Sequence, residues 1–273
     1  MKLQDKLIAL RKDGKAILAT NFYNFETLAG ILRAAVQKQK PVILQLSESS
    51  IQYMGLPTAV AMAKAAVSES GVEAWLHLDH GSSIELVQRC LDAGFDSVMI
   101  DASEHPFEHN VEISRRVVQM AEPYHACVEA ELGYVAKLGQ NQSGGGFTSP
   151  DDARRFVQET GVHALAVAIG SAHGFYKEPP RLQLQLLEEI AEATPVPLVL
   201  HGSSGIPDDM LREAIRRGIT KINLATETKN TFMKKLRHLL AQSDEIDLRK
   251  VFPPAIEEVV KLISYKLDVI DFE

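Results

Sequence analysis

Residues 197–224 read PLVLHGSSGIPDDMLREAIRRGITKINL, and this stretch decides the fold. Pro197 to His201 is a short apolar run bounded by Pro and Gly, the pattern of a strand buried on both faces. After the Gly202-Ser203-Ser204-Gly205 turn, Pro207-Asp208 opens a helix that runs to Arg217, with Gly218 as its stop. Thr220 to Leu224 then reads as a second buried strand. A strand, a crossover helix and a further strand in so short a span make a βαβ unit with parallel strands.

The same alternation extends towards both ends of the chain. Strands are predicted at Ala16 to Thr20, Pro41 to Leu46, Ala74 to Leu78, Ser97 to Asp101, Ala126 to Glu131 and Ala164 to Ile169, ahead of the two already named. Helices are predicted between them, among others at Phe25 to Gln37, Ser83 to Ala93, Asp151 to Thr160 and Thr226 to Ala241. Eight parallel strands with short connections close most readily into a (β/α)8 TIM barrel, an α/β fold, here with an extra C-terminal helix. A length of 273 residues fits one such domain, 1–273. An open doubly wound sheet is the alternative, but no Gly-rich dinucleotide fingerprint follows the first strand. Leu138 to Thr148, with its Ser143-Gly144-Gly145-Gly146 run, reads as a surface loop.

A net charge of −7 with 24% charged residues excludes nucleic acid as a partner held by bulk charge, but not a small anion held in a pocket. Met1 to Leu10 lacks the apolar core of a signal peptide, and no apolar run is long enough to span a bilayer, so a cytoplasmic protein without membrane contact is expected. Cys90 and Cys127 lie in apolar or helical contexts and read as small buried hydrophobes.

In a barrel, chemistry gathers at the C-terminal ends of the strands, where loops from different strands share one mouth. The predicted strand ends are unusually reactive: Asn21, Ser47, Asp79-His80, Asp101, Glu129 and Glu131, His173, His201 and Asn223. Taken singly, a strand-end histidine is more often a hydrogen-bonded structural group. His80, His173 and His201 at one rim, with carboxylates among them, instead suit a catalytic zinc-type site. His77 is three residues from His80, so strand alternation points it the other way and makes it structural. Gly-rich turns after the sixth to eighth strands suit either a phosphate cradle or ordinary tight βα turns.

The motifs His77-Leu78-Asp79-His80-Gly81, Val98-Met99-Ile100-Asp101-Ala102-Ser103, Val128-Glu129-Ala130-Glu131-Leu132-Gly133, Ile169-Gly170-Ser171-Ala172-His173-Gly174, Leu200-His201-Gly202-Ser203-Ser204-Gly205 and Lys221-Ile222-Asn223-Leu224-Ala225-Thr226-Glu227 occur in that order. With them the chain resembles the class II, metal-dependent fructose-bisphosphate and tagatose-bisphosphate aldolases over nearly its whole length. The resemblance implies a carbon–carbon lyase that cleaves a ketose bisphosphate to dihydroxyacetone phosphate and an aldehyde phosphate. It implies a divalent cation, usually Zn2+, on His80, His173 and His201, with Asp101 and Glu131 holding a second or displaced position. Asp79 matches the carboxylate that exchanges a proton with the substrate hydroxyl. The metal matches the Lewis acid that stabilises an ene-diolate. Gly174, Lys177, Gly202, Ser204, Asn223, Ala225 and Thr226 match positions around a phosphate, with a monovalent cation nearby. Asn21 and Ser47 match substrate contacts. Arg249 matches an arginine that crosses a dimer to the far phosphate, so the resemblance implies a homodimer or homotetramer. Without it, Arg249 reads as a solvated surface charge.

The resemblance breaks after Gly133. The family carries a Gly-Gly and then acidic residues there, including a glutamate that transfers a proton at the dihydroxyacetone-phosphate carbon. This chain has no carboxylate between Glu131 and Asp151. Lys137, Tyr134 or a metal-bound water taking that role is one expectation. An aldolase or isomerase acting on a different phosphorylated ketose, or a metal- and sugar-phosphate-binding homologue without catalysis, are the others.

Overall fold

A computed structural model describes residues 1–133, 135–137, 146–176, 178 and 180–272, with the backbone alone at Ala136 and Lys137. Eight parallel strands close into a barrel: β1 (Ile17–Asn21), β2 (Val42–Ser47), β3 (Ala74–Gly81), β4 (Ser97–Ile100), β5 (Cys127–Leu132), β6 (Ala164–Val167), β7 (Leu198–Leu200) and β8 (Ile219–Leu224). Each pairs with its sequence neighbours, and β8 returns to β1 with Ala19 opposite Asn223. The seven crossovers carry α2 (Phe25–Lys38), α4 (Leu56–Ser70), α5 (Ile84–Asp92), α6 (Phe107–Ala121), α7 (Pro150–Thr160), α8 (Leu184–Ala193) and α9 (Asp208–Arg216), and α10 (Thr226–Leu240) follows β8. The start signals act as expected from their chemistry. The Ser83 and Ser149 side chains accept from Leu86 and Asp152 N–H groups, and Asn24 with Thr27 forms a reciprocal cap.

Two apolar layers hold the fold. Outward-facing strand residues such as Leu44, Leu78, Val98, Val128 and Leu165 pack under the helices. Ile17, Ala19, Ile43, Trp75, Cys127, Ala164, Ala166 and Val199 form a separate cluster with Leu3 and Leu7 of α1 (Leu3–Lys12). Burying each large aliphatic side chain contributes roughly 1.5–3 kcal/mol. The extra C-terminal helix is α12 (Pro253–Ile270), which packs chiefly against α2 and α10. Gly30 makes the α2 contact possible: a Cβ there would come within 2.8 Å of Val259. Among the described residues no helix is long and apolar enough to cross a membrane.

Two features near the mouth depart from a regular barrel. Ala136–Lys137 pairs in parallel with Ala172–His173, a two-residue ladder too short to read from sequence. His80 takes φ 51°, a left-handed conformation that a non-glycine residue rarely adopts. This overturns the alternation argument for His77, because the strand is not regular through His80. His77 faces the barrel interior with Trp75 and Asp79, and the turn at His80 swings its ring back over the same interior.

Candidate active site

The left-handed His80 brings three imidazoles together. Ring centres lie 4.9 Å apart for His80 and His173, 4.7 Å for His80 and His201, and 5.8 Å for His173 and His201. One ligand atom from each ring and one from Glu131 all lie within 4.8 Å of one another. His173 and His201 approach because Gly202, at φ 67°, lets the two loops touch; a Cβ there would collide with the Ala172 carbonyl. Tyr176 ties the same loops, accepting from Ala172 N–H at 2.6 Å and donating to the Gly202 carbonyl at 2.9 Å.

Two of the rings have a carboxylate behind them. His80 Nδ1 is 2.7 Å from Asp101 Oδ2, and His201 Nε2 is 2.9 Å from Glu129 Oε1. Their other ring nitrogens, His80 Nε2 and His201 Nδ1, are buried without a hydrogen-bond partner, and so is Glu131 Oε2. His201 Nδ1 lies 3.0 Å from Glu131 Oε2, but out of line for a hydrogen bond. Buried polar atoms are normally paired, and three unpaired acceptor atoms around one point suit a positive centre. Burial alone would lower the His201 pKa, but Glu129 and Glu131 outweigh it and lift the ring to about 10. Burial and the neighbouring His80 and His201 rings hold His173 down at about 3. The carboxylates therefore call for a cation, while the three rings together resist three protons. A divalent ion meets both demands, and three nitrogens with one oxygen suit zinc-type ions.

Asp79 stands beside this group, fully inside the mouth. Its Oδ2 accepts from Asn21 Nδ2 at 2.9 Å, and its Oδ1 accepts from Asn223 Nδ2 at 3.3 Å and Gln45 Nε2 at 3.4 Å. Burial raises its pKa, but His80, His201 and the Asn21 bond pull harder and leave it below the usual carboxylate range. Each amide keeps a buried carbonyl oxygen unpartnered, so the shell around Asp79 has three acceptors for hydroxyl groups.

A family model described as fructose-bisphosphate aldolase class-II matches residues 1–273. The chain belongs to the class II fructose-bisphosphate aldolases. It is 40% identical over 273 residues to a probable fructose-bisphosphate aldolase of Bacillus subtilis, covering 98% of this chain and 96% of that one. With the fructose-bisphosphate aldolase of Geobacillus stearothermophilus it shares 42% identity over 253 residues, 90% and 88% of the two chains. Its fold superposes on the YdjI aldolase from Escherichia coli K12 with a TM-score of 0.89 at 30% identity, covering 98% and 96%. Its family is one of carbon–carbon lyases that bind sugar-phosphate substrates.

Other expected residues of the aldolase sit less centrally. Asp101 stands behind His80 and outside the group of four, its Oδ2 facing the ring's Nδ1. Ser47 caps α3 (Glu48–Met54), its hydroxyl 3.1 Å from those of Ser49 and Ser50. Ser204 accepts from Glu227 N–H at 3.2 Å, and Glu227 in turn accepts from Gly205 N–H at 2.6 Å. Ala225 and Thr226 begin α10 with no side-chain cap, and Gly174 follows His173 at φ 112°. Lys177, Tyr134 and the 138–145 part of the loop lie outside the described residues, as does the Lys137 side chain. Arg249 is 90% exposed and forks onto Asp247, with both bonds at 3.0 Å. Sequence reasoning missed Gln45, Lys221 and the role of Glu129. All three are polar residues at every-second positions of otherwise apolar strands, which was the available signal.

Proposed function

We propose that this aldolase cleaves a ketose bisphosphate, fructose or tagatose 1,6-bisphosphate, to dihydroxyacetone phosphate and an aldehyde phosphate. It does so with a divalent cation, Zn2+ by donor type, on His80, His173, His201 and Glu131. One observation carries the proposal: four ligand atoms within 4.8 Å, three of them orphaned, beside a carboxylate held by three amides. When bound, the ion supplies Lewis-acid charge to the carbonyl end of the substrate.

This chain's residues supply the rest. Asp79, kept ionised, takes the proton from the hydroxyl at the breaking bond and returns it in the condensation direction. Asn21, Gln45 and Asn223 orient Asp79 and leave their oxygens for substrate hydroxyls. Ser47 adds a further substrate contact. Gly174, Lys177, Gly202, Ser204, Asn223, Ala225 and Thr226 bind the phosphate, with the first turn of α10 favouring its negative charge and a monovalent cation completing the charge balance. Arg249, exposed and forked, serves the far phosphate of a second copy in a homodimer or homotetramer. The enzyme works in the cytoplasm.

The missing carboxylate after Gly133 favours a second reading within the same chemistry, an aldolase for a differently substituted ketose phosphate. Zinc-loaded protein should release dihydroxyacetone phosphate from one of four substrates: fructose or tagatose bisphosphate, or their 1-phosphates. Asp79→Ala should lose turnover yet retain affinity for dihydroxyacetone phosphate. Silence with all four at full metal occupancy overturns both readings and leaves a sugar-phosphate-binding homologue.

A further inference from the structure

Beneath the metal-type group lies a chain of buried polar side chains that the proposed reaction does not use. Ser97 Oγ donates to the Cys127 carbonyl at 2.9 Å, so it accepts from His77 Nδ1 at 2.8 Å. His77 Nε2 is then a lone pair, facing Lys221 Nζ at 3.5 Å. Lys221 donates to Glu129 Oε2 at 2.8 Å, and Glu129 Oε1 meets His201 Nε2 at 2.9 Å. All five side chains are at most 2% exposed. Two groups on this path have no freedom: the Cys127 carbonyl at one end only accepts, and the Lys221 ammonium in the middle only donates.

We infer that Lys221, acting through Glu129, is a positioning residue that sets the tautomer of His201. Lys221 occupies one oxygen of Glu129 with a donor, and the other oxygen is left to accept. His201 therefore keeps a hydrogen on Nε2 throughout, and the proton it gives up to take a metal is the one on Nδ1, towards His80, His173 and Glu131. The inference rests on the metal-binding reading of those residues. It assigns a share of the metal affinity to Lys221, whose hydrogen bonds among the described residues go to Glu129 and His77.

Glu129→Gln separates this from a merely structural role. A glutamine has one accepting oxygen and one donating NH2. Lys221 claims the oxygen, so the NH2 faces His201 and drives the ring hydrogen onto Nδ1, into the metal position. Zinc affinity, read by competition with a chromophoric chelator, should fall about 10–100-fold, the usual range for losing a partner behind a ligand. The double variant Glu129→Gln with Lys221→Met lets the amide turn its oxygen to His201, and most of the lost affinity should return. Nitrogen-15 NMR reports the tautomer directly: Nε2–H in the zinc-loaded parent and double variant, Nδ1–H in metal-free Glu129→Gln. Circular dichroism establishes that each variant is folded. If Glu129→Gln does not fold, the parent's tautomer and the double variant's affinity still decide the matter. A parent that binds no zinc sinks the metal reading itself. A parent that binds zinc with Nδ1–H on His201, or a folded double variant no tighter than Glu129→Gln, sinks only the role of Lys221.

Discussion

The lower and upper halves of the barrel interior are built by the same strands and differ in kind. Below, Ile17, Ile43, Trp75, Cys127 and Val199 meet Leu3 and Leu7 in an apolar cluster. One inward step up each strand stand Gln45, His77, Glu129 and His201, and a step beyond those come Asp79 and Glu131. The lower half gains from leaving water; the upper half loses hydration and must recover it by pairing. Replacing a buried ion pair with packed apolar groups is often neutral or stabilising. The upper half is therefore explained by what it holds, and the lower half by what it holds together.

That contrast predicts opposite responses to substitution. His173→Ala should lower kcat/KM by about 10³-fold or more, because Lewis-acid stabilisation is worth several kcal/mol and each 1.36 kcal/mol is tenfold. The metal-free protein should meanwhile unfold within about 1 kcal/mol of the parent, since one crowded ring is removed from a site with no ion. A metal-free variant several kcal/mol weaker would make the upper half structural after all. Ile43→Ala is the converse. Ile43 is fully buried in the lower cluster, and the change should reduce unfolding free energy by about 2–5 kcal/mol in a denaturant titration. Its zinc affinity should match the parent's. A parallel loss of zinc would show that the two halves are one cooperative device.

The same division governs what the sequence made legible. Strand and helix boundaries were readable to within a few residues because βα punctuation is local: Pro207-Asp208 and Gly218 bracket α9 as their chemistry requires. The three histidines were legible because strand ends converge in any barrel. What stayed hidden depends on single backbone angles or on partners far along the chain. The left-handed turn at His80 reverses the inference for His77, and no local signal marks it. Lys221 lies 92 residues from Glu129, so their pairing emerges only when β5 and β8 share one interior. Asp101 was legible as a strand-end carboxylate, but whether it faces an ion or a ring is decided by the position of His80.

The smallest expected effect lies at the seam between the halves and is read through pH. His163 precedes β6, and its Nδ1 accepts from Val128 N–H at 2.9 Å, adding a side-chain rung to the β5–β6 ladder. Burial lowers its pKa, and the donor facing Nδ1 needs the neutral ring. The unfolded chain takes up a proton near pH 6.5 that the folded ring refuses, so the unfolded state binds more protons and stability must rise with pH. The contribution is complete above about pH 6.5 and is lost as the pH falls from there towards the folded value. His77, held at about 3 by burial and by Lys221, adds to the same slope from within the upper half. In metal-free protein, kept so by chelator, His173 adds to this slope while His80 and His201, whose pKa values are raised, oppose it, so the share of His163 is read by comparing parent and variant at pH 5.5 and pH 7.5. His163→Gln keeps an acceptor for Val128 but does not titrate, so its midpoint should fall less between the two pH values. An identical fall in parent and variant would place the whole acid response in the upper barrel, and would make the seam electrostatically silent.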